Sequence, residues 1–101
     1  MLRIASHALV KVPQSVFQLV GLVELDLSSN SISEIPGSIR SLCGLQILKL
    51  SWNSLQALPD ELCCLGNLQV LALEFNKLSF LPENIGKLTK LKSLQVSQHP
   101  S

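Results

Sequence analysis

A period of 23 residues runs through this chain, and it restricts the fold more than any single segment does. LVELDLSSNSISEIPGSIRSLCG (22–44), LQILKLSWNSLQALPDELCCLGN (45–67) and LQVLALEFNKLSFLPENIGKLTK (68–90) align without a gap. Each reads L-x-x-L-x-L-x-x-N-x-[LI]-x-x-[LI]-P-x-x-[IL]-x-x-L-x-x, and all nine fixed positions match in every unit. A partial unit precedes them (1–21) and a partial terminal unit follows (91–101), both in register. A repeat of this length signals stacked supersecondary units, so residues 1–101 read as a single domain built as an array.

Within each unit the L-x-L stretch alternates apolar and polar with period two, the pattern of a short strand with one face buried. Leu25 and Leu27, Leu48 and Leu50, and Leu71 and Leu73 are the inward positions. Each proline that follows (Pro13, Pro36, Pro59, Pro82) fixes φ and removes a backbone donor just before a three-residue apolar spacing such as Ile39 to Leu42. That combination suits a single helical or 3₁₀ turn returning across the opposite face. One such unit cannot bury its apolar side alone, so successive units stack. The expected fold is an α/β solenoid, with a parallel sheet on its concave face and short helical or 3₁₀ turns on its convex face.

These residues closely resemble the leucine-rich repeat over essentially the whole chain. The second half, I/L-P-x-x-I/L-x-x-L, is similar to the intracellular Ras-group subclass that includes the Ras suppressor. The resemblance implies a non-enzymatic protein-interaction module or scaffold that binds through its concave face. Its implied partner is a small GTPase, a phosphatase subunit or another signalling protein. It also assigns Asn30, Asn53 and Asn76 a structural role, holding the turn after each strand through amide hydrogen bonds. His7 and His99 stand where those asparagines would be in the partial units.

Stacking aligns equivalent residues in columns about 4.8 Å apart, so the exposed side of the sheet can be read off directly. Counting Leu22 as position one, position three carries Glu24, Ile47, Val70 and Ser93, and position five carries Arg3, Asp26, Lys49, Ala72 and Gln95. Position seven carries Ser28, Ser51 and Glu74, and position eight Ser29, Trp52 and Phe75. Ile47, Trp52, Val70 and Phe75 therefore form an apolar patch at solvent-facing positions, flanked by Lys49 and Glu74. These six are the candidate partner-binding residues, since buried aromatic anchors dominate protein interfaces. A bland reading stands beside this one, in which Trp52 and Phe75 shield the sheet edge and support neighbouring loops. Arg3, Asp26 and Lys49 alternate in sign and read as a surface ion-pair ladder.

Eight basic residues against seven acidic ones leave no basic stripe, which argues against nucleic acid or a membrane surface as partner. No apolar run reaches the roughly 18 residues of a membrane span. Three cysteines (Cys43, Cys63, Cys64) cannot all pair within one chain, and the expectation is a reducing, cytoplasmic setting. Cys63 and Cys64 lack C-x-x-C spacing and read as small, partly buried residues, with a redox role as a lesser reading. His7 and His99 lie about 19 Å apart by strand spacing and cannot share a metal. Glu24 and Asp26 share an open strand face without a pocket, and no phosphate loop or nucleophile–base pair is present. No catalytic residue, metal or cofactor is expected.

Strands of this length make a face of only a few hundred square ångströms, against about 800 Å² per partner in a standard interface. The first unit would expose Leu2, Ile4, Leu9, Val12 and Val16, and the last would leave Leu91, Leu94 and Val96 covered on one side. The alternative expectation is therefore a structural segment or truncated isoform of a longer scaffold, without binding activity of its own. Uncapped ends would also allow end-to-end self-association.

Overall fold

The computed structural model describes residues 1–4 and 9–96. Among them, five strands alternate with four 3₁₀ turns: β1 (Leu2–Arg3), β2 (Glu24–Asp26), β3 (Ile47–Lys49), β4 (Val70–Ala72) and β5 (Ser93–Gln95), with turns at Gln14–Gln18, Gly37–Ser41, Asp60–Cys64 and Glu83–Lys87. The strands lie in sequence order in one parallel sheet. Register follows the repeat: Leu25 faces Leu48, Leu48 faces Leu71, and Leu71 faces Leu94, each 23 residues apart. The expected α/β solenoid is the observed fold.

Each turn begins in the way the prolines require. Pro13, Pro36, Pro59 and Pro82 stand in extended backbone, with ψ between 133° and 159°, immediately before the helical residues. Their carbonyls accept the N–H three residues on, from Val16, Ile39, Leu62 and Ile85, at 3.0–3.1 Å. A missing proline N–H costs nothing here, because the first residues of a helical turn have no partner for it anyway. The turns pack closely on one another. A Cβ built on Gly37 would lie 2.6 Å from a Glu61 carboxylate oxygen one repeat later.

The core runs between sheet and turns. Leu25, Leu48 and Leu71 from the strands, Leu27, Leu50 and Leu73 after them, and Ile39, Leu62, Leu42 and Leu65 from the turns are all essentially inaccessible. Burying each such side chain contributes about 2 kcal/mol. The first unit is better covered than its position at the end suggests, for Val12 and Val16 are buried rather than exposed. Val16 lies in a turn that packs against Gly37–Ser41, and both residues belong to the common core, so the second unit covers them. Leu2, Ile4, Leu9 and Leu91 are half-buried, and Leu94 and Val96 remain exposed, as expected.

Candidate functional site

Three-residue strands are short, yet the ladder between them continues further along each unit. Leu27 donates its N–H to Lys49 at 2.8 Å and Ser29 to Ser51 at 3.0 Å; Leu50 donates to Ala72 at 2.8 Å and Trp52 to Glu74 at 3.0 Å. Position eight is thereby tied to the neighbouring repeat. Immediately after it the chain turns inward, and that turn is left-handed: φ is 62° at Ser29, 60° at Trp52 and 60° at Phe75. Glycine or asparagine would suit such a backbone, whereas each ring-bearing residue there costs about 1 kcal/mol.

Equal backbones one repeat apart project their side chains in parallel. The Trp52 and Phe75 rings stack with centroids 3.9 Å apart and planes inclined by 12°. Such a pair is worth about 0.5–1.5 kcal/mol beyond area burial, which offsets only part of the two backbone costs. Stacking does not remove the rings from water, because Trp52 remains 58% and Phe75 49% exposed. Both earlier readings thus hold part of the geometry: the rings support one another across repeats, and they still face solvent.

The next residue behaves oppositely. Asn53 is buried, donates from Nδ2 to the carbonyls of Leu27 and Leu50 at 3.0 Å each, and accepts the Ile32 N–H at 3.1 Å. Asn76 repeats this with Leu50, Leu73 and the Leu55 N–H, and Asn30 with Ile4 and Leu27. Each amide therefore closes its own turn and also bonds the strand before it.

Ile47 and Val70, half-buried, face each other in register and continue the apolar surface from the rings down the sheet. Lys49 flanks them, but the expected Arg3–Asp26–Lys49 ladder divides into two pairs. Arg3 meets Asp26 at 3.5 Å, while Lys49 reaches Glu24 at 3.8 Å. Asp26 is already held by Arg3 and accepts the Ser28 N–H at 3.0 Å, which leaves Glu24 as the free carboxylate for Lys49. Position five is also less open than alternation implies, since Asp26 and Ala72 are buried beneath longer neighbours in adjacent strands. Glu74 accepts the Ser51 hydroxyl at 2.8 Å and, among the described residues, has no cation within ion-pair distance.

All six predicted residues consequently lie on one face. Ile47, Lys49 and Val70 sit on its strands, and Trp52, Glu74 and Phe75 along its rim. Reading columns missed the contribution of Ser29 and Ser51. Ser29 shares the left-handed backbone beside Trp52, and Ser51 holds Glu74. Their alignment was visible; their conformation was not, because no glycine or asparagine marks position eight.

On the opposite face, Asp60, Cys63, Cys64, Asn84 and Lys87 line a depression of about 340 Å³. All three cysteines are free; Cys63 is buried, and Cys43 and Cys64 are exposed. Burial pushes the Cys63 thiol above its ordinary range, and the nearby Asp60 carboxylate adds to this. A raised thiol is a poor nucleophile. Among the described residues no His, Cys, Asp and Glu group is placed to hold a metal, and no helix is long and apolar enough to cross a membrane. His7 and His99 lie outside the described residues.

The comparisons with known proteins bear on this geometry. A family model described as leucine rich repeat matches residues 1–55, more than half of the chain, and a second leucine-rich repeat model matches residues 67–88. The chain belongs to the leucine-rich repeat family. Among solved structures, a leucine-rich repeat protein of Leptospira interrogans is 30% identical with a TM-score of 0.72, over 94% of this chain and 31% of its own. The leucine-rich repeat domain of the type III effector XopL is 28% identical with a TM-score of 0.83, over 93% of this chain and 35% of its own. An internalin (inlF) from Listeria monocytogenes, 20% identical with a TM-score of 0.56 over 87% of this chain and 34% of its own, shares the fold. This leucine-rich repeat chain thus spans about a third of the length of the solved structures it matches. No curated protein matches it. Leucine-rich repeat domains are in general protein-interaction modules.

Proposed function

We propose that this chain binds a protein partner, without catalysis, through the concave-face patch of Ile47, Lys49, Trp52, Val70, Glu74 and Phe75. One observation carries the reading. Two large aromatic side chains occupy left-handed positions that disfavour them and remain about half exposed once stacked. A backbone serving only the fold would be better met there by asparagine or glycine. Exposed aromatics rimmed by polar groups are the usual form of an interaction site. The resemblance of the half-repeats to the Ras-group subclass supports a signalling protein as partner, such as a small GTPase or a phosphatase subunit. Free thiols at all three cysteines accord with a cytoplasmic setting.

A displayed random-peptide library selected on the folded, immobilised domain tests this reading. Selected peptides should lose about thirty-fold in affinity on Trp52→Asn/Phe75→Asn, the loss typical of interface anchors. Peptides that bind the double variant as tightly as the parent would move the site to another face.

A structural second reading draws on the stack itself, since ring contact ties two repeats together. In that case the chain is a segment of a longer scaffold, and the double variant would unfold at lower denaturant with no effect on binding to report.

A further inference from the structure

Position eight continues past the aromatic pair. Ser29 has nearly the same left-handed φ as Trp52, 62° against 60°, and precedes it by one repeat in a parallel sheet. Its side chain therefore projects beside the face of Trp52 that Phe75 does not cover. Where its two successors carry rings, Ser29 carries a hydroxymethyl group. The array thus leaves a slot about one ring thick, walled by the indole and floored by a hydroxyl.

We infer that this slot takes the guanidinium of an arginine presented by the protein partner, laid flat on Trp52 as a third rung of the stack. The inference rests on the concave-face reading above and names the chemistry of its occupant. A guanidinium is planar, weakly hydrated and prone to stack on tryptophan, while its edge N–H groups can donate to the Ser29 hydroxyl. Charge selects it over a neutral ring. The face carries the carboxylates of Glu24, Asp26 and Glu74; Lys49 pairs with the first and Arg3 with the second. Glu74 is left without a cation among the described residues, and the Ser51 hydroxyl holds one of its oxygens toward β3, the strand that leads into Trp52. An aromatic third rung would fit the thickness but leave that charge unanswered. A lysine ammonium would answer the charge but cannot lie flat.

N-acetylarginine amide, titrated into the folded domain while NMR follows the indole N–H of Trp52, tests the inference directly. N-acetyl-lysine amide and N-acetyltyrosine amide run in parallel. The arginine derivative should give a saturable shift and bind about two- to five-fold more tightly than the lysine derivative. Ser29→Phe, which fills the slot with a ring that Phe75 shows the fold accepts, should abolish the shift, and Glu74→Gln should weaken it. Ser29→Asn suits the left-handed backbone and keeps the slot open to a flat group, so it should retain binding if Ser29→Phe acts by occlusion rather than misfolding. No saturable shift, preference for the tyrosine derivative, or an unchanged response in Ser29→Phe would overturn the inference. Failure here is separable from failure of the broader reading. Library peptides that need Trp52 and Phe75 but bind Ser29→Phe undiminished would sink the arginine slot alone, whereas peptides indifferent to Trp52→Asn/Phe75→Asn would sink the concave-face site itself.

Discussion

Positions eight and nine of each repeat are chain neighbours with opposite fates. At nine, Asn30, Asn53 and Asn76 are buried and hydrogen-bonded across two repeats. At eight, Ser29, Trp52 and Phe75 share one strained backbone but carry a hydroxyl and two rings, the rings left largely in water. Position nine is constant across the three full repeats because each amide there supplies two N–H donors to buried carbonyls and an oxygen to a backbone N–H. Position eight varies because the fold asks for a conformation and not for a side chain. What occupies it is therefore available for recognition, and that is why an unfavourable residue there is informative.

Asparagine removal probes this contrast most strongly. Asn53→Ala leaves the Ile32 N–H unpaired in the interior, at about 1–3 kcal/mol, and takes one of two amide donors from each of the Leu27 and Leu50 carbonyls, which keep Asn30 and Asn76, at about 0.5–1.5 kcal/mol each. A loss of about 3 kcal/mol or more is expected by urea denaturation, a large share of the stability of a domain this size. Asn30→Ala should lose less, because its bond to the Leu9 N–H is already long at 3.4 Å. Equal losses at both sites would show that the bonds the amide donates, and not the N–H it accepts, set the cost.

Position eight should answer quietly. Trp52→Asn gives up a stack worth about 0.5–1.5 kcal/mol and relieves a left-handed backbone worth about 1 kcal/mol, so its net stability change should stay within about 1 kcal/mol. Trp52→Ala loses the stack with less relief and should be the less stable of the two. If asparagine destabilises as much as an asparagine removal at position nine does, the rings are structural and the contrast collapses. Emission from Trp52, the only tryptophan, should be red-shifted and readily quenched by acrylamide in the monomer.

Smaller effects sharpen the picture. Lys49→Ala removes a partly exposed pair with Glu24, and about 0.5 kcal/mol or less should be lost, falling further in salt. Cys43 and Cys64 should be alkylated well before Cys63, read by mass spectrometry of the native protein. The raised Cys63 thiol also sets a sign for alkaline pH. Folded, the group stays protonated past the 9.0 at which it would ionise unfolded, so the unfolded state releases its proton first. Stability attributable to Cys63 is complete below that pH and declines above it, and Cys63→Ala should flatten the decline.

Much of this was legible in the sequence, and for identifiable reasons. A strict period leaves one way to bury Leu25, Leu48 and Leu71 together, so strand order, register and the proline-led turns followed from alignment alone. The six candidate residues also came from columns, because a parallel sheet converts spacing along the chain into proximity across it.

Other features needed three dimensions. Lys49 chose Glu24 over Asp26 through a competition that no column records, and Val12 and Val16 were covered by a neighbouring repeat although the pattern placed them at an end. Above all, the left-handed turn at position eight carries no glycine or asparagine to announce it. Sequence determined which residues share a face, since periodicity is a property of the chain. Tertiary structure decided that Trp52 and Phe75 stack and that Ser29 shares their left-handed backbone, since backbone dihedrals aim side chains and no alignment contains an angle.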